Sequence, residues 1–145
     1  MTPNLREQHF GIAEGHHWTQ RSVTSNKTLG ELYEEGIFPE LEDRDARFPQ
    51  GENLNDVARR AETVIRDCIL PHLFDKSQDG AHVGLASHGI CLAELISALL
   101  KLDPEIDSVK SYRGHWNTAW SRFEISLRVW NILLLSSILN DNIVF

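Results

Sequence analysis

The octapeptide His82-Val-Gly-Leu-Ala-Ser-His-Gly89 constrains the fold of this chain more than any other stretch. His82 to Ser87 is an apolar run of strand length. It passes without a spacer into Ile90, Ala93, Leu95, Ile96, Leu99 and Leu100, a helical recurrence. Strand, tight turn and helix form the unit of an α/β fold, so His82–Ser87 reads as a buried strand of such a fold. The turn Ser87-His88-Gly89 then falls at the carboxyl end of the sheet, where α/β proteins place their ligands. Gly89 permits a sharp turn, and the amides that open the helix can face an anion. His88 is either a functional group there or a histidine bonded at a strand end. Its position alone leaves both open.

A second helix is equally plain. Leu54, Val57, Ala58, Ala61, Val64, Ile65, Cys68 and Ile69 recur at steps of three and four and draw one apolar stripe. Asn53 or Asn55 can cap its start, Asp56 suits its first turn, and the helix is expected over Leu54 to Leu73, with Pro71 near its end. A shorter helix is expected over Lys27 to Glu35, ended by Gly36 and Pro39. Glu40 to Arg47 is a charge run and reads as a solvated loop or helix face. Phe48-Pro-Gln-Gly51 is a turn signal. Asp103-Pro104 stops the later helix, and Thr118 to Ile125 has the pattern of another strand.

Composition narrows the partners. With 145 residues, 41% hydrophobic and 24% charged, the chain can bury a core of ordinary size. Its net charge of −7 gives no general attraction for nucleic acid or an anionic membrane, so phosphate binding would need a local pocket. Cys68 and Cys91 both lie in apolar stretches, which argues against a disulfide framework and for a reducing, cytoplasmic setting. Met1 to Gly11 is polar and carries no secretory pattern. The run Val129 to Leu139 is interrupted by Asn131, Ser136 and Ser137, and has about half the roughly 20 apolar residues a membrane span requires.

Three further segments join the Ser-His-Gly turn. Leu5, Glu7, Gly11, Glu14 and Gly15 fit Leu-x-Glu-x-x-x-Gly-x-x-Glu-Gly. Pro49, Gly51, Glu52, Asp56 and Arg60 fit Pro-x-Gly-Glu-Ser-x-x-Asp-x-x-x-Arg, with Asn53 in the serine position. Asn117-Thr118 precedes the late strand-like run. In this order and spacing, from about Leu5 to Glu124, the segments resemble the histidine phosphatase superfamily, the phosphoglycerate mutase-like proteins.

The resemblance implies phosphoryl transfer through a phosphohistidine: one histidine attacks phosphorus while arginines and a second histidine hold the oxygens. A glutamic acid protonates the departing alcohol. By position His88 is the second, phosphate-binding histidine and Glu7 the general acid. Gly89, Asn117, Thr118 and Gln8 are the implied substrate-binding residues. Glu7, His88 and Asn117 are expected to share one cleft. No cofactor or metal is required, and the implied partner is a phosphorylated small molecule, sugar phosphates included. The implied fold is a three-layer sheet with flanking helices.

One part of the family pattern is missing. Its opening strand ends in Arg-His-Gly, which supplies the nucleophile and a phosphate-clamping arginine, and no Arg-His-Gly occurs in this sequence. The nearest approach, Arg113-Gly114-His115, has the wrong order and place. The chain is therefore read as amino-terminally truncated, its sheet incomplete and its fold marginally stable. Residues 1–124 are taken as the partial family domain. Residues 125–145 are either a tail of foreign origin or an ordinary closing strand and helix.

The remaining residues divide as follows. His9, His16 and His17 lack the spacing of a metal site and read as loop histidines. His72 and His82 read as surface groups, Trp116 and Trp120 as core aromatics, and Glu14 as a structural turn residue. Arg60 reads as a structural, ion-pairing residue. In the mutase branch an arginine follows the acidic residue, with tyrosine two further on; here Gln8 and Phe10 stand there. A neutral Gln cannot clamp a carboxylate as Arg does, so the implied parent activity is phosphomonoester hydrolysis. The competing readings are a non-catalytic protein of the same fold that binds phosphorylated ligands or a protein, and a helical interaction protein with chance motif matches.

Overall fold

Apolar periodicity and local caps account for the helices of the computed structural model, which describes residues 2–19, 27–75, 77, 80–103, 120–128 and 131–138. The chain divides into two compact units. One is Gln8–Asp56, and the other joins the residues up to Glu7 with those from Val57 onward.

In the smaller unit, Thr28 caps helix α1 (Leu29–Glu34) through a reciprocal box with Glu31: each residue's side chain accepts from the other's amide. Gly36, at φ 72°, follows the helix end. Phe38, Phe48 and Ala13 form a small core, with Phe10, Tyr33 and Leu41 packed against it. The rings of Phe38 and Phe48 meet edge to face at 5.7 Å. Strand β1 (Trp18–Thr19) pairs in parallel with β2 (Phe38–Pro39). The charge run expected over 40–47 is a largely exposed loop.

Two turns of this unit interlock. Pro49 and Gln50 occupy the corner of a turn closed by the Gly51 amide donating to the Phe48 carbonyl at 2.8 Å, with Gln50 at φ 63°. Gly11, at φ 58°, lies so close that a Cβ there would sit 2.0 Å from the Pro49 carbonyl oxygen. Gly51 is also close-packed, less severely: a Cβ there would stand 3.0 Å from the His9 and Phe48 carbonyl oxygens. The Gly11 and Gly51 of the two sequence segments are thus glycines because the two turns pack backbone on backbone.

Helix α2 (Leu54–Val64) starts with Asn53, whose side chain accepts from the Asp56 amide at 2.8 Å while Asp56 accepts from the Asn53 amide at 3.0 Å. Asn55 is not the cap; it bonds Asp45 at 2.7 Å. The helix widens into a π-helical turn at Ile65–Ile69 and closes as α3 (Leu70–Phe74). Pro71 has no amide to donate, which disrupts regular pairing at this point. Helix α4 spans Gly89–Leu100 and ends three residues ahead of Asp103.

The core of the larger unit is the meeting of these helices. Ala61, Val64, Ile65, Ile69, Leu95, Ala98 and Leu99 are buried together, and Leu5, Leu85, Phe123 and Ile125 pack against them. Cys91 is buried and Cys68 half-buried, both as free thiols. Strand β3 (Ser121–Arg128) pairs antiparallel with β4 (Asn131–Ile138), Ser121 facing Ile138 and Arg128 facing Asn131.

Three expectations are corrected here. His82–Ser87 forms no strand: the segment is extended but unpaired, with His82, Val83, Gly84 and Ala86 exposed and only Leu85 reaching the core. An apolar run becomes a strand only through ladder bonds, and among the described residues β1–β2 and β3–β4 pair only with each other. For the same reason the expected three-layer sheet is replaced by two separate two-stranded pairs. Trp120, expected in a core, is 53% exposed because it precedes β3 rather than facing the helices. Trp116, Arg113 and His115 lie outside the described residues. No described helix is long and apolar enough to cross a membrane.

Candidate active site

Helix α4 starts without a cap of its own. His88 stands at the N-cap position in extended conformation (φ −124°, ψ 170°), and its side chain bonds no helix amide. The first turn of any helix leaves amides without intrahelical partners. Here Glu7, 83 and 84 residues away in sequence, supplies both acceptors. Its Oε2 accepts from the Ile90 amide at 3.2 Å and its Oε1 from the Cys91 amide at 3.1 Å. A carboxylate at this end also meets the positive pole of the helix dipole.

The segment that carries Glu7 is anchored from three sides. The Arg60 guanidinium, on α2, donates to the carbonyls of Asn4 at 2.6 Å and Arg6 at 3.1 Å, with a longer bond to that of Glu7 at 3.5 Å. The Ser87 hydroxyl donates to the Leu5 carbonyl at 2.7 Å. The Cys91 thiol lies 3.7 Å from the Asn4 carbonyl. Arg60 thus has a structural role, which includes bonds to main-chain carbonyls. Sequence spacing does not reveal this, because carbonyl acceptors have no residue signature.

Gly89 opens α4 with ordinary helical geometry. It is not among the left-handed residues, and a Cβ there would stand 3.9 Å from Glu7 Oε2, an ordinary contact. The sharp turn expected to need glycine at this position is absent, since His88 takes the extended conformation before the helix. His88 itself is exposed, and its imidazole has no hydrogen-bond partner among the described residues.

In the smaller unit the Gln8 carboxamide donates to the Glu52 carbonyl at 2.7 Å, and the His9 amide donates to the Glu52 carboxylate at 3.0 Å. Glu14 accepts from the Phe10 amide at 2.8 Å, a turn role. His9 Nδ1 accepts from the Gly11 amide, and His16 packs on Phe38 at 4.8 Å. Asn117 and Thr118 lie outside the described residues. Among the described residues no three His, Cys, Asp or Glu side chains are grouped to hold a metal ion.

Comparison with known proteins places this arrangement. The family model of the histidine phosphatase superfamily (branch 1) matches residues 1–138. The chain belongs to that superfamily. Membership implies the α/β class. The histidine phosphatase match runs through both β3 and β4. Relatives include a probable phosphoglycerate mutase GpmB of Enterobacter sp. (strain 638), 32% identical over 102 residues, which are 70% of this chain and 41% of the relative. The protein of the same name from Proteus mirabilis (strain HI4320) is 31% identical over 101 residues, 69% of this chain and 40% of its own length. The chain thus spans about two fifths of the curated histidine phosphatase relatives it matches. No solved structure matches it.

Proposed function

We propose that this chain carries the phosphate-holding and proton-donating half of a phosphomonoesterase site, and that on its own it does not turn over. In this reading His88 binds phosphoryl oxygens and Glu7 protonates the departing alcohol oxygen. Gly89, Asn117 and Thr118 are substrate-binding residues in the same reading. Gln8 stands where the mutase branch has a carboxylate-clamping arginine, which favours hydrolysis of phosphomonoesters, sugar phosphates among them, over mutase chemistry. Phosphohistidine chemistry needs a nucleophilic histidine in Arg-His-Gly, and this sequence holds none.

The observation that carries the reading is the attachment of Glu7 to the helix that His88 begins. Glu7 bonds the first-turn amides of that helix, and His88 stands at its N-cap position, 81 residues further along the sequence, which supports reading the two as one site. The His88 imidazole is exposed and caps no helix amide, which leaves it able to meet an oxyanion. Titrating the 145-residue chain with inorganic phosphate tests this. Saturable shifts of the His88 imidazole signals, absent in H88A, are expected; a titration that leaves His88 unmoved overturns the phosphate-binding role. The second reading, a non-catalytic binding protein of the same fold, is favoured by the absent Arg-His-Gly alone.

A further inference from the structure

We propose that Arg60 is the positioning residue of Glu7. Its guanidinium reaches the carbonyls of Asn4, Arg6 and Glu7, at 2.6, 3.1 and 3.5 Å, so it grips the main chain at Asn4 and Arg6, ahead of Glu7, and at Glu7 itself. The Asn4 carbonyl belongs to the short 3-10 turn at Pro3–Leu5 and those of Arg6 and Glu7 follow it; among the described residues this stretch has no ladder partner, so it has no register of its own. Arg60 supplies one. It stands on α2, whose buried face (Val57, Ala61, Val64) is fixed in the helix core, and it transmits that fixed position to the carboxylate on α4.

The geometry requires arginine. A guanidinium presents several donors in a rigid planar fork, whereas a lysine ammonium is a single point on a flexible stem. One ammonium cannot meet carbonyls spread over residues 4 to 7 in the same way. Ser87 makes a second, independent tie from the Ser-His-Gly turn to the Leu5 carbonyl, so the segment is held on both sides of Leu5. Glu7 is consequently placed by main-chain anchoring, and its side chain adds the last two bonds to Ile90 and Cys91. This positioning role rests on the proton-donor reading only for its catalytic consequence.

Amide hydrogen exchange and amide chemical shifts of the 145-residue R60K chain test it, with E7A defining the signature of an uncapped α4. Positioning predicts that the Ile90 and Cys91 amides move toward their E7A shifts. It also predicts that they exchange at least about tenfold faster relative to those of Leu95 and Leu99 in the same helix. S87A should move the same two amides in the same direction by less, and R60K should add nothing to them on an E7A background. Unchanged Ile90 and Cys91 amides in R60K overturn the proposal. So does uniform acceleration along α4, which would assign Arg60 to general stability. The readout is independent of turnover. If R60K releases Glu7 while E7Q leaves the turnover of a catalytically competent form intact, positioning stands and the proton-donor reading falls.

Discussion

The Glu7 carboxylate is the cap of a helix it does not belong to: Oε1 lies 3.1 Å from the Cys91 amide nitrogen, and Oε2 reaches Ile90 beside it. Removing it takes away the acceptors of two first-turn amides, which the His88 side chain at the N-cap position does not bond. E7A should therefore destabilise the chain by about 1–2 kcal/mol, the range for a lost cap with a favourable dipole contact. Chemical denaturation of the two proteins checks this. An unchanged midpoint would mean that the carboxylate is not held there in solution.

Gly11 and Gly89 should behave in opposite ways, although both belong to the family pattern. A Cβ at Gly11 would collide with the Pro49 carbonyl at 2.0 Å, in a left-handed backbone. G11A should cost about 2–4 kcal/mol, because backbone and not a flexible side chain must give way. A Cβ at Gly89 meets only Glu7 Oε2 at 3.9 Å, so G89A should be neutral or stabilising by up to about 1 kcal/mol. Thermal unfolding of both variants decides it.

Gln50 occupies a turn corner that favours glycine. Its φ of 63° follows Pro49, and the turn is closed by the Gly51 amide. Q50G should stabilise the smaller unit by about 0.5–1 kcal/mol, relief of left-handed strain outweighing the added flexibility of the unfolded chain. A loss of stability, measured by the same denaturation, would show that the Gln50 side chain makes up for its backbone.

The Thr28–Glu31 box has a pH signature. The Thr28 amide and hydroxyl donate to Glu31 Oε2 at 2.7 and 2.9 Å, and these bonds hold the Glu31 carboxyl below the ordinary glutamate range. The folded value lies below the unfolded one. The box therefore contributes fully above the ordinary range and is lost as the pH falls through the folded value. NMR titration of the Glu31 side-chain carboxyl carbon should show its midpoint rising in T28A. An unmoved midpoint contradicts the hydroxyl's part in the box.

Much of this was legible from residue order, and the failures have one cause. The stripe from Leu54 to Ile69 and the Asn53 cap predict α2 because both signals are local. His82–Ser87 carries the pattern of a strand, yet periodicity reports which side chains are apolar and is silent on whether a ladder partner exists. The Glu7 cap and the Arg60 grip join residues 83 and 56 positions apart through amides and carbonyls, which every residue possesses. Such contacts leave no mark on residue type. The paired glycines are the exception: Gly11 marks the close approach because a Cβ does not fit there, and Gly51 marks it through contacts that a Cβ would tighten.

The central claim is that this chain holds a phosphate-binding, proton-donating half-site of the histidine phosphatase superfamily and lacks the group that attacks. A phosphomonoesterase assay of the purified 145-residue chain tests it most directly, run beside the same chain fused behind a strand ending in Arg-His-Gly. Loss of a covalent nucleophile commonly costs several powers of ten. Turnover is predicted only in the fused form, and E7Q and H88A should each lower it. Comparable turnover in both forms, abolished by H88A, would contradict the account by making His88 the nucleophile.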